Sequence, residues 1–293
     1  MKTIVSIGIP AYNEEKNITN ILNALLNQEL KSVVIKEIIV VSDGSTDRTC
    51  ELVRDFIKKH KTKKIRLIAY KERKGKWFAI NVFLKESSSK YLILESADNI
   101  PDKNAVELLI SALRKPNVGM VASKIVPIIK KNLFWERIGS LLYQLHHFAS
   151  LENPKFGEMI AFKKVFKSIP KTIVDEEEIA RIVQNKGFFG VYEPRAIVYI
   201  KTPNNLREFI SQRRRIFCGH FYLAKNKRYV ASTFENKRVI KIIMSKKVKK
   251  DFIFFSLLFF EFVSRILGFY DYLFNREKHV KWEMIESIKN FEQ

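Results

Sequence analysis

Cysteine is nearly absent from this chain. Cys50 and Cys218 are the only two among 293 residues, too few for a disulfide framework or a thiolate zinc site. A reducing compartment is the simple reading. Glycine is scarce as well, at 10 residues, and with 46% hydrophobic and 29% charged residues this excludes a collagen-like or disordered chain. Acids are in short supply. Lys and Arg number 53 against 31 Asp and Glu, a formal net charge of +22. A surplus that large points to an anionic partner: nucleic acid, a phosphorylated substrate or an anionic membrane surface. The amino terminus lacks a long apolar stretch before a small-residue cleavage site, since the run at 3–9 soon meets Pro10, Asn13, Glu14 and Glu15. It reads as a buried strand, and the bulk of the chain is expected in the cytoplasm. No internal repeat is visible.

What the chain does have, over residues 1–125, is alternation. Short apolar runs at 4–9, 38–41, 65–70, 91–94 and 118–122 are rich in β-branched residues and lack polar alternation, as parallel strands covered on both faces require. Between them lie helix-period segments. Ile18, Ile21, Leu22, Leu25 and Leu26 fall on one helical face; Cys50, Val53 and Ile57 do so after Ser45-Thr46-Asp47, and Ala79, Val82 and Phe83 continue the theme. Strand–helix repetition predicts βαβ units and a doubly wound, mostly parallel α/β sheet. Ligands of such sheets bind beyond the carboxyl ends of the strands. The polar segments 10–15, 42–47, 71–76 and 95–99 are therefore expected to converge on one edge.

From 126 to 224 the pattern loosens. An aromatic-rich helical segment at 134–148 leads to Lys155-Phe156-Gly157-Glu158 and on to Phe162. The acidic cluster Asp175-Glu176-Glu177-Glu178 opens a helix through Ile179, Ile182 and Val183. Residues 187–200 read as a hairpin or strand pair, and 206–223 as a helix carrying Gln212-Arg213-Arg214-Arg215-Ile216. Residues 225–293 differ again. Ten basic residues lie between 225 and 250 against one acid, Glu235, and an intensely apolar stretch follows at 252–274, interrupted by Glu261, Arg265 and Asp271. The organisation expected is one unit at 1–224, made of a strand–helix half (1–125) and a looser half (126–224), followed by a basic and apolar helical region at 225–293.

The polar segments suggest definite chemistry. A carboxylate at Asp43 can accept a base N–H, with Gly44 allowing close backbone approach, while Asp47 either caps a helix or touches ribose. Lys74-Gly75-Lys76 can supply charge near a diphosphate, but without the Walker spacing it is not a P-loop. Asp98, flanked by Glu95, Ser96 and Asn99, offers hard oxygens suited to Mg²⁺ or Mn²⁺. The acids at 175–178 can hold a general base or simply compensate a helix dipole. Gln212 and Arg215, at i and i+3, share a helical face, with Arg213 and Arg214 pointing elsewhere.

These residues, in this order, resemble the inverting glycosyltransferases of family 2 with the GT-A fold. The resemblance covers roughly residues 3–224. It rests on Ile9-Pro10-Ala11-Tyr12-Asn13-Glu14-Glu15, Val41-Ser42-Asp43-Gly44-Ser45-Thr46-Asp47, the Lys74-Gly75-Lys76 loop through Asn81, and Ser96-Ala97-Asp98 in the place of Asp-x-Asp. Gly157 through Phe162 stands in the acceptor region, Asp175-Glu176 at the base position, and Gln212 through Ile216 where many members have Gln-x-x-Arg-Trp. The resemblance implies that Pro10, Tyr12, Glu14 and Asp43 hold the nucleoside and Asp98 a divalent cation. It also implies Glu176 as catalytic base with Asp175 orienting it, and Lys76, Gln212 and Arg215 toward the diphosphate or acceptor. Two departures stand out. Ser96 replaces the first Asp, leaving the metal to Asp98 with help from Glu95 or Asn99. Ile216 replaces the Trp, removing a stacking surface for sugar.

The carboxyl-terminal region bears on location. A basic stretch beside an aromatic-rich apolar segment suits anionic lipid. Glu261, Ser264, Arg265 and Gly268 share one helical face, turned to water or protein, and Glu261 can pair with Arg265. Twenty-three residues also suffice to cross ~30 Å of hydrocarbon, but Lys249, Lys250, Arg276, Lys278 and Lys281 flank both ends, which favours an interfacial or re-entrant helix. A buried core helix is the bland alternative. No helix-turn-helix, zinc or RNP pattern supports nucleic acid, and Pro-Ala-Tyr-Asn-Glu after the first strand is not the Gly-rich loop a nucleotidyltransferase needs. The expected activity is transfer of one sugar from a UDP- or GDP-sugar to a hydroxyl of a lipid-linked or glycan acceptor at the cytoplasmic membrane face. The alternatives are a polyprenyl-phosphate glycosyltransferase and an idle GT-A scaffold.

Overall fold

Apolar runs with no polar face need cover on both sides, and the first half of the chain supplies it. The computed structural model describes residues 2–131, 133–245, 248–281 and 284–289; Met1 and two of the basic residues counted above, Lys246 and Lys247, lie outside them. The chain runs β1 (Thr3–Ala11), α1 (Ile18–Leu26), β2 (Val33–Asp43), α2 (Thr49–His60), β3 (Ile65–Tyr70), α3 (Lys76–Glu86) and β4 (Tyr91–Leu94). β1 pairs in parallel with β2 and β4, and β2 with β3. On one face Val5, Ile7 and Ile9 pack with Ile18, Ile21, Leu22 and Leu25 of α1. On the other, Ile39, Val41, Leu92 and Leu94 meet Ala79, Ile80, Phe83 and Leu84 of α3.

The second half adds β5 (Ile100–Pro101), α4 (Ala105–Leu113), β6 (Val118–Pro127), α5 (Phe134–Glu152), β7 (Ile160–Lys163), α6 (Asp175–Asn185), β8 (Phe189–Ile200) and α7 (Leu206–Lys227). The eight strands among the described residues form one sheet, ordered β3-β2-β1-β4-β7-β6-β8-β5. β7 runs antiparallel between β4 and β6, β8 lies parallel to β6, and β5 closes the edge antiparallel to β8. Residues 187–200 are thus not a hairpin. Phe189–Ile200 form one long strand with a bulge, where pairing jumps from Ser123–Glu193 to Lys124–Ile197. Pro194 cannot donate to a ladder and lies in this bulge, and the Glu193 carboxylate holds it shut by accepting from the Arg195 backbone and guanidinium. A bulge and a turn share the same sequence punctuation.

Beyond α7 come α8 (Asn236–Met244) and α9 (Phe252–Phe274), with 3-10 turns at Ser232–Phe234, Arg276–His279 and Glu286–Ile288. α9 packs against α5 and α7, where Ile253 and Leu257 join Ile138, Leu142 and Phe209. Its polar interruptions face the protein. Arg213 of α7 grips Glu261 with two hydrogen bonds of 2.6 and 2.8 Å, and Arg214 pairs with Asp271, which also bonds His279. Glu261 therefore serves Arg213 rather than the expected Arg265, whose guanidinium donates to Asn236. A bidentate pair in a partly buried setting outweighs an exposed one-turn contact. The opposite face of α9 is apolar and open: Phe252, Phe255, Phe259, Phe262 and Phe274 are 60–75% exposed.

Gly8 marks how closely α3 lies on β1, because a Cβ there would stand 2.4 Å from the Phe83 ring. Gly8→Ala is expected to destabilise the protein by about 1–3 kcal/mol through overpacking, read as a lowered melting temperature in a thermal scan.

Candidate functional site

The segments following the strands, together with α6, α7 and residues 284–289, enclose one cleft of about 210 Å³. Pro10, Tyr12 and Glu14 enter from the end of β1, Asp43 from β2, Arg73 and Lys76 from the start of α3, and Ser96, Asp98 and Asn99 from beyond β4. Glu158, Glu176, Gln212 and Arg215 complete the far side. Asp175, expected to orient Glu176, does not line the cleft and is fully buried.

The first two loops are laced together. The backbone N–H of Glu14 donates to Thr49 at 2.7 Å, Asn13 accepts from the Thr46 N–H at 2.8 Å, and Asp47 accepts from the N–H groups of Glu15 and Thr49, each at 3.0 Å. Of its two expected roles Asp47 takes the capping one, and it lies off the cleft. Asp43, 4% exposed, accepts the N–H of Lys74 at 2.9 Å and that of Gly75 at 2.6 Å. Gly44, at φ +76°, is small for the sake of the same loop: a Cβ would come within 2.6 Å of the Arg73 nitrogen. The close approach expected at Gly44 is thus made by the chain itself. Arg73, so placed, stacks its guanidinium 3.7 Å above the Tyr12 ring.

Lys76 reaches across to Glu176, Nζ to Oε1 at 2.5 Å, both side chains largely buried. Burial pushes the Glu176 carboxyl up, but the Lys76 charge and hydrogen bond outweigh it and hold the group below its ordinary range. Lys76 is correspondingly held protonated: burial opposes its charge, and Glu176 and Asp175 more than offset that. Asp175 is fully buried with neither carboxylate oxygen hydrogen-bonded. Burial, reinforced by Glu176, raises it from 3.8 to about 7 against the pull of Lys76 and Arg215. The four acids stand in the first turn of α6, where they also meet the helix dipole, and all are buried. Glu177 accepts from Tyr229 at 2.7 Å, and Glu178 pairs with Arg181 at 2.6 Å.

Around Asp98 the Asn99 amide donates to Glu95 at 3.2 Å and to Glu158 at 3.1 Å. Glu95 is fully buried beneath the cleft and one of its oxygens has no partner. Burial pushes its carboxyl well up, toward the neutral acid. Help for a cation at Asp98 thus comes less readily from Glu95 than from Glu158, which lines the cleft at φ +55°. Among the described residues no group of three or more His, Cys, Asp or Glu side chains is placed to hold a metal ion by itself.

Arg215 is 9% exposed, and burial lowers its guanidinium to about 10 against the pull of Asp175 and Glu176. Arg214 turns away to α9 as expected, whereas Arg213 reaches α9 and also borders the cleft. Glu158, Arg73, Tyr143, His146 and His220 line the cleft without having been singled out, as do Ile285, Ile288 and Lys289. Two of these carried a sequence signal: Arg73, within the polar segment 71–76, and Glu158, after Gly157.

Asp175 sets a pH dependence. Its carboxyl is raised on folding, so its contribution to stability is complete below about pH 3.8 and is lost as pH rises toward 7. Asp175→Asn is expected to raise the urea midpoint at pH 8 and to leave it unchanged at pH 3.5, measured by paired unfolding curves.

Comparison with known proteins places this architecture. Residues 6–174 match the model of glycosyl transferase family 2. The chain is 28% identical, over 88% of its own length and 63% of the relative's, to a probable glycosyltransferase, YdaM, of Bacillus subtilis. It is 30% identical to a dolichyl-phosphate beta-glucosyltransferase of Dictyostelium discoideum over 49% of this chain and 47% of that one. The chain thus spans about half to under two thirds of these relatives. A mannosyltransferase from Pyrobaculum calidifontis, solved in complex with GDP-Man and Mn²⁺, shares the fold at a TM-score of 0.70 and 19% identity, over 94% of this chain and 88% of that one. The sheet is therefore of the GT-A type, and since the family match covers more than half of its length, this chain belongs to glycosyl transferase family 2.

Proposed function

We propose that the chain moves one sugar from a UDP- or GDP-sugar to a hydroxyl of a lipid-linked or glycan acceptor, with inversion, at the cytoplasmic face of a membrane. The observation that carries this reading is the single cleft in which Tyr12, Glu14 and Asp43, Asp98, Glu176, and Gln212 with Arg215 meet from distant parts of the sequence. Residues 1–224 supply these groups, and 225–293 the membrane-facing helices.

In this reading the nucleoside lies against Tyr12, Glu14 and Asp43, and the acceptor hydroxyl approaches from the side of Glu176. The diphosphate competes with Glu176 for Lys76. Loss of that lysine lets the pKa of Glu176 climb toward the working pH, which makes its carboxylate a stronger base for the acceptor proton. Lys76 and Arg215 then neutralise the leaving diphosphate. A divalent cation fits as a group shared with the donor: Asp98 offers one hard carboxylate oxygen beside Glu158, and Mg²⁺ or Mn²⁺ commonly takes one or two carboxylates with substrate phosphates completing the shell. When bound, the ion supplies further neutralisation of charge on the diphosphate.

A lipid-phosphate acceptor is the second reading. A phosphate oxygen needs no base, and here Glu176 is already neutralised by Lys76; one relative is a dolichyl-phosphate glucosyltransferase. Membrane association is supported by α9. It is long and apolar enough to cross a bilayer, yet its polar face is bound to α7 along much of its length. An interfacial helix, phenylalanines down, suits that geometry.

Donor turnover across a panel of UDP- and GDP-sugars, with and without Mn²⁺, tests the reading. Asp98→Ala is expected to abolish metal-dependent donor binding. Glu176→Gln is expected to lower kcat by about 10²–10⁴-fold with a hydroxyl acceptor while leaving donor binding intact; a rate held with a phosphate acceptor selects the second reading. If no nucleotide sugar binds in any condition, the idle-scaffold alternative takes over. Replacing Phe255, Phe259 and Phe262 by Ser is expected to release the protein from anionic vesicles in a co-sedimentation assay without changing its melting temperature.

A further inference from the structure

The nucleoside end of the cleft is already occupied by the chain itself. The Lys289 ammonium donates to the backbone carbonyls of Tyr12 at 2.7 Å and Asn13 at 2.9 Å, and to Glu14 Oε1 at 2.6 Å. Three acceptors converge on one group that has three N–H donors and no acceptor, and the pair is almost closed off from water: the Lys289 side chain is 13% exposed and that of Glu14 8%. Beside it Ile285 and Ile288 line the same cleft. The segment is moored at one further point, where Ser287 bonds to Glu208 in the first turn of α7 and accepts the Asn204 N–H at 3.3 Å. Apolar side chains and a lysine thus hold the segment across the cleft mouth, between α7 and the loop after β1.

We propose that residues 284–289 form an autoinhibitory strap, in which Lys289 fills the hydrogen-bond acceptors that a donor nucleoside must use. The inference rests on the reading that places the nucleoside against Tyr12, Glu14 and Asp43. Ribose hydroxyls and base N–H groups donate, as the lysine ammonium does, and the Lys289 side chain occupies the space from which a nucleoside would approach the carbonyls of Tyr12 and Asn13 and the Glu14 carboxylate. Binding of donor therefore requires the strap to leave. Part of the donor's binding energy goes into displacing it, so the apparent affinity falls with the fraction of molecules in which the strap is open. A strap closed in about nine molecules of ten weakens apparent donor binding about tenfold.

Calorimetric titration of the full chain with GDP and with UDP, in wild type, Lys289→Met and Lys289→Arg, tests this. The expected result is binding about tenfold tighter in Lys289→Met and close to wild type in Lys289→Arg, which keeps the charge and the donors. Hydrogen exchange supplies a readout without substitution: nucleotide should speed exchange at residues 284–289 of the wild type. Unchanged or weaker binding by Lys289→Met, or added protection of the strap by nucleotide, overturns the proposal while leaving the donor reading in place. If neither wild type nor Lys289→Met binds any nucleotide, the donor reading itself fails and the strap falls with it.

Discussion

A sheet covered by helices on both faces leaves polar side chains one place to go. In β1 the residues from Val5 to Ile9 are buried without exception, and the strands beside it are nearly as dry. Charge is therefore expelled to the ends of the strands, and the parallel arrangement sends the carboxyl ends of β1, β2 and β4 to the same edge. The cleft exists because of that constraint. The helices that cover the sheet then decide which charges meet in it. α3 brings Lys76 to one wall and α6 brings Glu176 to the other, where the two side chains meet at 2.5 Å.

The electrostatics of the cleft run against those of the chain as a whole. A protein of net charge +22 gathers Glu14, Asp98, Glu158, Asp175 and Glu176 into one partly desolvated space. Burial pushes the Glu14 and Glu158 carboxyls up, and repulsion from the Asp98 charge adds to it. Lys76, Arg215 and Lys289 provide the opposing charge from inside the protein. In the proposed reading these cations are the groups that an incoming diphosphate or nucleoside engages or displaces, so the state of the acids follows what occupies the cleft.

α7 joins two parts of the molecule that the sequence presents as separate. One side carries Gln212 and Arg215 into the cleft. The other carries Arg213 and Arg214 onto Glu261 and Asp271 of α9. Because Glu261 and Asp271 turn α9 toward this contact, its phenylalanines are left on the outside. The helix that meets lipid in the proposed reading is bound by ion pairs to the helix that lines the site.

Much of this was legible in residue order alone. The strands at 4–9, 38–41, 65–70, 91–94 and 118–122 and the first three helices follow from hydrophobic period, a property of neighbours in sequence; Tyr12, Asp43, Asp98, Glu176 and Arg215 were singled out with the help of the family resemblance, and the fold brings them to one cleft. The bulge at 194–196 was not legible, because proline and charge punctuate a turn and a bulge alike. Nor was the partner of any buried charge. Lys76 is one hundred residues from Glu176, and Lys289 is 275 from Glu14. Local pattern determines which segments become strands and helices, since burying one face of a short segment is a local demand. Which charges face each other across a water-poor cleft was decided only when the sheet, α6, α7 and the strap were packed together, because Coulomb and hydrogen-bond partners depend on distance in space and leave no trace in spacing along the chain.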